Sequence, residues 1–319
     1  MTSVLTRRLA LAAAASATVA TTITPRARAA SGRTIRIGYQ RYGTLILLKH
    51  TGYLDQVLAR TGDRVEWSEH PAGPQMLQAM GAGALDFGIT GDTPPIFAQA
   101  ASRRIVYVAH EPPAPFGEAI IVPKGSGITS IAGLRGKSVA LNRGSNVHWL
   151  LVRALQKAGL GMHDIQPVFL APAAGRPAFD TGRVDAWAIW DPYFSSVQAA
   201  SSPVVLATAS GLVQNRQFLL ADRAFTDAHP DLVQETLRQL ARSDQWAQAH
   251  KPEVSQFLAA DTGLPLPVVR TAIDRLSFGV SPMTPDIIAE QQQIADAFAQ
   301  QHLIPGALDV KDAIWTAPA

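Results

Sequence analysis

The feature that most constrains this chain is an alternation of strand and helix signals from residue 34 to residue 221. Short apolar runs over 34–38, 64–69, 85–90 and 105–109 are separated by stretches with helical spacing over 45–51, 54–61, 74–82 and 94–101. Parallel strands need a long crossover between them, and a helix supplies it, so this alternation predicts an α/β fold. A second block repeats the plan, with strands expected over 118–122, 138–141, 166–170, 186–190 and 204–208. Its helices are expected over 147–158, over 176–181 and from Pro192 onward, with a short helical turn over 131–134. The run 217–221 is strand-like again. Beyond it the chain reads as helix over 230–250, 252–260, 267–276 and 285–301, with a proline at or near each start. Proline is favoured there because its missing N–H has no partner in the first helical turn anyway.

Two blocks of this kind predict two lobes, each built on a mostly parallel sheet. The chain is expected to pass between them near 119–123 and again near 217–221. This divides it into residues 31–120 plus 219–319 for one lobe and 121–218 for the other. Two crossovers make a hinge, and hinged lobes close on a ligand. Ligands of open α/β sheets sit at the carboxyl ends of the strands.

Two junctions lie at such ends. Gly91-Asp92-Thr93-Pro94-Pro95 and Gly144-Ser145-Asn146-Val147-His148 each follow a strand and open a helix. A helix start presents unpaired amides at the positive end of its dipole and so attracts anions. The first junction is the poorer trap. Pro94 and Pro95 have no N–H, and Asp92 adds negative charge. Thr93 reads as the helix cap, leaving the Thr93 hydroxyl and amide and the Gly91 amide as donors. The second junction has no proline and no acid, and Arg143 and His148 flank it. It is the better cradle, with a plain cap as the alternative reading. Alternation puts Trp187 and Trp190 on opposite faces of their strand, so Trp190 either lines a cleft or packs in the core. Gln40 ends the first strand and Glu118 begins the first crossover. Both can meet a ligand, although a solvated surface role is the default.

The first 30 residues read as an export signal rather than as part of the fold. Arg7-Arg8 precedes the apolar run 9–20, which is too short to span a membrane, and Ala27-Arg28-Ala29 matches a cleavage pattern. The paired arginines fit the twin-arginine route, with cleavage near Ala29 or Ala30 and the periplasm as destination. The whole chain has 28 basic and 25 acidic residues. The signal takes four arginines and no acid, so the remainder carries 24 basic against 25 acidic groups. This leaves no electrostatic case for nucleic acid or an anionic membrane. There is no cysteine, which excludes disulfide, thiolate-metal and Cys-nucleophile chemistry and a lipid anchor at the cleavage point.

Enzyme signatures are missing. Gly136-Lys137-Ser138 lacks the leading glycine of a phosphate loop, because Ile131 stands there. No nucleophile elbow, zinc-helix or dinucleotide motif occurs, and the eight histidines are scattered. No catalytic residue, metal site or cofactor is expected.

Several stretches together resemble the substrate-binding proteins of aliphatic sulfonate ABC importers. They are Ile37-Gly-Tyr-Gln40, Pro71-Ala-Gly-Pro-Gln-Met-Leu77, Thr90 to Ala100, Glu118 to Lys124, Asn142 to His148 with Leu150 to Leu155, and Val184 to Tyr193. The resemblance is strong from about residue 35 to 193 and looser beyond. It implies a type II periplasmic binding fold with the ligand between the lobes, a cognate permease in the inner membrane, and a monomer. The taurine branch of the wider family carries hydroxyl residues where this chain has Gly144-Ser145-Asn146, which favours the aliphatic sulfonate branch. Enzymes of the family that make the thiamine pyrimidine use a cysteine cluster, which this chain lacks. By matching position the resemblance implies a ligand cleft of Gln40, Gly91, Asp92, Thr93, Glu118, Ser145, Asn146, Trp190 and Asp191, joined by Gly144 from the cradle itself. In this reading Ser145 and Asn146 hold sulfonate oxygens, and Thr93 and Gln40 add donors. Glu118 or Asp92 balances an amine, and Trp190 covers the alkyl chain. The alternatives are a binder of taurine, nitrate or another small anion, a sensor that docks on a membrane receptor, and a periplasmic enzyme on the same fold.

Overall fold

Ten strands in the computed structural model form two five-stranded sheets, with helices against their faces; residues 32–318 are described. The proposed export signal therefore lies outside the described residues. The first sheet joins β1 (Thr34–Tyr39), β2 (Arg64–Glu69), β3 (Phe87–Gly91), β4 (Ile105–His110) and β10 (Gln217–Asp222) in the order β2-β1-β3-β10-β4. The second joins β5 (Glu118–Val122), β6 (Ser138–Leu141), β7 (Gln166–Phe169), β8 (Ala186–Trp190) and β9 (Val204–Thr208) in the order β7-β6-β8-β5-β9. The two orders correspond strand for strand. In each, one strand arrives from the other sheet and inserts antiparallel between two of its own.

That insertion makes each sheet mixed: four strands run one way, as expected, and the fifth opposes them. β10 runs antiparallel to both β3 and β4, and β5 runs antiparallel to both β8 and β9. A chain that crosses from one lobe enters the other sheet from the cleft side, so its landing strand points against the rest. The crossings themselves are the segments 111–117 and 209–216, just ahead of the strands read as crossovers.

Burial follows the strand period. In the second sheet Ile120, Val122, Val139, Leu141 and Ala186 pack on one face, while Ala119, Ile121, Ala140, Trp187 and Ile189 pack on the other. Both faces are covered, which explains the near-continuous apolar runs. Trp187 is buried and Trp190 half-buried, on opposite faces as alternation requires. The helices after β10 stay with the first sheet: Ile314 bridges to Tyr107 and Ser281 to His110. They also reach the second sheet's helices. Phe298 packs against Trp149, and the helix Leu266–Arg275 contacts the helix Tyr193–Ser201.

Candidate functional site

A cleft of about 580 Å³ opens where β1, β3 and β8 end. Gln40, Gly91, Ser145, Asn146, Trp190 and Asp191 line it. Asp92, Thr93, Glu118 and Gly144 do not, and the reason differs in each case.

The start of the helix Pro94–Ala101 is sealed. Thr93 has helical dihedrals and makes no side-chain cap. Its hydroxyl instead donates to Asp92 Oδ1 at 2.9 Å. The Asp92 carbonyl accepts from Gln291 Nε2, which also donates to the Tyr107 hydroxyl at 2.9 Å. Asp92 is turned away from the cleft, toward a smaller cavity shared with Trp149 and Gln291. Burial pushes its carboxyl up from 3.8 to about 7, against the pull of the Thr93 hydrogen bonds. Neither group is free to meet a ligand in the cleft.

The start of the helix Asn146–Lys157 is open. Ser145 is its extended N-cap, and the Asn146 and Val147 amides have no backbone acceptor among the described residues. The Ser145 hydroxyl donates to the Asn142 carbonyl at 2.7 Å, so it braces the turn. Gly144 has φ of 73°, a conformation that favours glycine, and its amide donates to His148 Nδ1 at 3.3 Å. His148 is fully buried among Phe97, Phe169 and Phe298. Burial, helped by Arg143, pushes its pKa down to about 4, so the ring is neutral at pH 7. The flanking histidine therefore adds no positive charge to the cradle. The cradle consists of neutral amides.

Glu118 stands behind Asn146 and is completely buried. Its Oε2 accepts from Asn146 Nδ2, while Oε1 has no partner. Burial first, then the nearby Asp92 carboxyl, holds its pKa well above the usual carboxylate range. Asn146 Nδ2 also donates to Asn215 Oδ1 at 3.2 Å, and Asn215 Nδ2 donates to the Ala114 carbonyl at 2.8 Å. Both crossing segments thus converge on Asn146. Glu118 holds that side chain in place and is itself shielded from the cleft. The lobes also meet here: a Cβ on Gly91 would lie 2.8 Å from Asn146 Cβ.

Asp191 is occupied as well. Its Oδ1 accepts from the Ser195 amide at 2.9 Å and the Ser195 hydroxyl at 2.6 Å, and its Oδ2 faces Arg275 Nη1 at 3.4 Å. Arg275 donates further to Gln198 Oε1 at 2.6 Å and lies over the Phe194 ring at 4.5 Å. This guanidinium ties a C-terminal helix of the first lobe to the second across the cleft. Sequence reasoning missed Arg275, Asn215 and a further lining residue, Glu111. None sits in a motif. The one available signal was positional, since Asn215 precedes β10 as Glu118 opens β5 at the other crossing.

Among the described residues no group of histidine and carboxylate side chains is arranged to hold a metal ion. What the cleft offers is a helix start with unpaired amides, a polar end at Gln40 and an indole wall at Trp190.

Comparison with known proteins agrees with this geometry. Residues 59–254 match the NMT1/THI5-like family. The aliphatic sulfonates-binding protein of Escherichia coli (strain K12) is 40% identical over 287 residues, covering 89% of either chain. The solved alkanesulfonate-binding protein SsuA of Xanthomonas axonopodis pv. citri, bound to MOPS, superposes with a TM-score of 0.85 at 39% identity, covering 90% of this chain and 99% of that one. The periplasmic aliphatic sulphonate binding protein SsuA of Escherichia coli gives 0.82 at 40% identity, covering 90% and 94%. The chain belongs to the NMT1/THI5-like family and has the two-lobe type II fold of its periplasmic sulfonate-binding relatives.

Proposed function

We propose that this protein captures aliphatic sulfonates in the periplasm and delivers them to an ABC permease for sulfur acquisition. The observation that carries this reading is a helix start with two amides, Asn146 and Val147, that have no backbone acceptor among the described residues, at a cleft lined by Ser145 and Asn146. A sulfonate is a permanent anion at neutral pH. Neutral donors bind it without proton exchange, and opening the lobes releases it. Trp190 supplies an apolar wall for the alkyl chain and Gln40 a donor from the first lobe. No bond is made or broken, so the protein acts as a carrier and not as an enzyme. We divide the lobes at the two crossing segments, 111–117 and 209–216, a few residues ahead of the division read from the sequence. The working form is an exported monomer cleaved near Ala29 or Ala30.

Calorimetry with ethanesulfonate, longer alkanesulfonates, taurine, sulfate and nitrate tests the reading. Alkanesulfonates bind, and the Ser145→Ala/Asn146→Ala double variant loses at least about 100-fold in affinity, the scale of a desolvated polar contact cluster. Tight nitrate binding with no sulfonate binding would overturn the proposal, as would wild-type affinity in the double variant.

A further inference from the structure

Among the described residues, Glu111 is the carboxylate of the cleft wall whose Oε1 has no hydrogen-bond partner. Three carboxylates line the cleft: Glu69, Glu111 and Asp191. Glu69 pairs with Arg41 at 2.8 Å, and Asp191 is held by Ser195 and Arg275. The cationic wall residue Arg176 is paired too, with Asp180 at 2.6 Å. Glu111 is 2% exposed, and its Oε1 is buried without a hydrogen-bond partner. A buried carboxyl oxygen left in this way costs stability unless something fills the gap.

Its position is fixed relative to the anion cradle. The Glu111 amide donates to the Gln217 carbonyl at 2.9 Å, and Gln217 lies opposite Gly91 in the β10–β3 register. Glu111, Gln217 and Gly91 therefore form a row across three neighbouring chain segments. Two strand spacings, about 10 Å, separate Glu111 from Gly91, which abuts Asn146. A short chain with a sulfonate at one end and a hydrogen-bond donor at the other spans that distance. The backbone around Glu111 is anchored on its other side, since His110 Nδ1 lies 2.9 Å from the Glu111 carbonyl. The side chain is thus presented from a rigid strand end.

We infer that Glu111 is a specificity-determining residue that receives an ammonium group at the far end of the ligand, so that aminoalkanesulfonates are the preferred class. This assignment rests on the sulfonate-binding reading above. It also moves the amine-balancing role from Asp92 and Glu118, which do not line the cleft, to a carboxylate that does. Burial first, and then the Asp244 carboxylate, disfavours charge on Glu111, and an incoming ammonium offsets that penalty.

The test uses two isosteric ligands, butanesulfonate and aminopropanesulfonate, which differ by a terminal methyl against ammonium. The intact protein binds the ammonium ligand more tightly. Glu111→Gln weakens aminopropanesulfonate by about tenfold or more, the scale of one charge-assisted hydrogen bond, and changes butanesulfonate by less than about twofold. Retained butanesulfonate binding also shows that the variant is folded. Equal losses for both ligands, or none for either, would overturn the assignment. Should Glu111→Gln fail to fold, the ranking by the intact protein still decides, because tighter binding of butanesulfonate excludes an ammonium site at Glu111. Binding of neither sulfonate by the intact protein would instead defeat the sulfonate reading itself.

Discussion

The two helix starts that flank the cleft share a local plan and differ in outcome. Both follow a buried strand through a glycine and both open a helix. At the helix Pro94–Ala101, prolines remove two amides, Thr93 and Asp92 bond to each other, and Gln291 takes the Asp92 carbonyl. At the helix Asn146–Lys157, two amides remain free and an asparagine side chain is held beside them by Glu118 and Asn215. The first junction has its polar groups tied up within the fold, and the second, in our proposal, is the binding end. The same strand–glycine–helix pattern is therefore not a site by itself. Whether its donors are already consumed decides.

The comparison can be attacked from the sealed side first. Asp92 has a folded pKa of about 7 against 3.8 when free, so between those values the folded state keeps a proton that the unfolded state loses. Its contribution to stability is present in acid and disappears as pH rises through about 7, an effect on the order of 4 kcal/mol. Asp92→Asn keeps the acceptor for Thr93 and removes the titration. Denaturant melts from pH 4 to pH 8 should show a flatter stability profile for the variant. An unchanged profile would mean that Asp92 is solvated and available to ligand.

The contact between the two starts comes next. Gly91→Ala sets a methyl group 2.8 Å from Asn146 Cβ, too close to be accommodated without movement. Crowding of this kind costs about 1–3 kcal/mol, and here it falls on the contact between the two lobes. Sulfonate affinity should drop about tenfold or more, with a smaller change in the melting temperature of the ligand-free protein. Equal affinity would separate Gly91 from closure.

The smallest and most direct exchange swaps the proline rule between the junctions. Val147→Pro deletes one cradle amide at a position where proline is tolerated, and Val147→Ala controls for lost packing. The proline variant should bind sulfonate about tenfold more weakly than the alanine variant, the typical scale of one hydrogen bond to an anion. The reverse change, Pro95→Ala, restores an amide in the sealed junction and should leave affinity within about twofold. A gain in affinity from Pro95→Ala would place ligand at both helix starts.

Much of the chain plan was legible because it rests on local rules. Strand bounds at Glu118–Val122, Ser138–Leu141 and Val204–Thr208 coincide with the sequence reading, since each is a short apolar run bounded by polar or turn residues. The helix Pro172–Asp180 starts four residues ahead of the reading. Gly175 and Pro177 look like breakers in isolation, yet Gly175 lets the helix approach Trp187, where a Cβ would lie 2.8 Å from the indole nitrogen. The short helix Arg223–Ala228 was not anticipated, because six residues carry little periodicity. Among the residues that line the cleft, Ser145, Asn146, Gln40 and Trp190 were readable from strand ends and helix starts. Arg275 was not, since it lies 84 residues from Asp191 and meets it through a helix packed across the cleft.

By itself the sequence determined the α/β class, the two blocks, and the poverty of amide donors at Pro94–Pro95. These depend on residue periodicity and on the chemistry of proline, which no tertiary context alters. Tertiary structure alone decided which polar groups are already satisfied. The Asp92 carbonyl taken by Gln291, Glu118 held on Asn146, the neutral His148, and Glu111 without a hydrogen bond on Oε1 all owe their state to neighbours distant in sequence. Availability for a ligand is a property of those neighbours, because a donor or acceptor that the fold has already consumed is no longer offered to anything else.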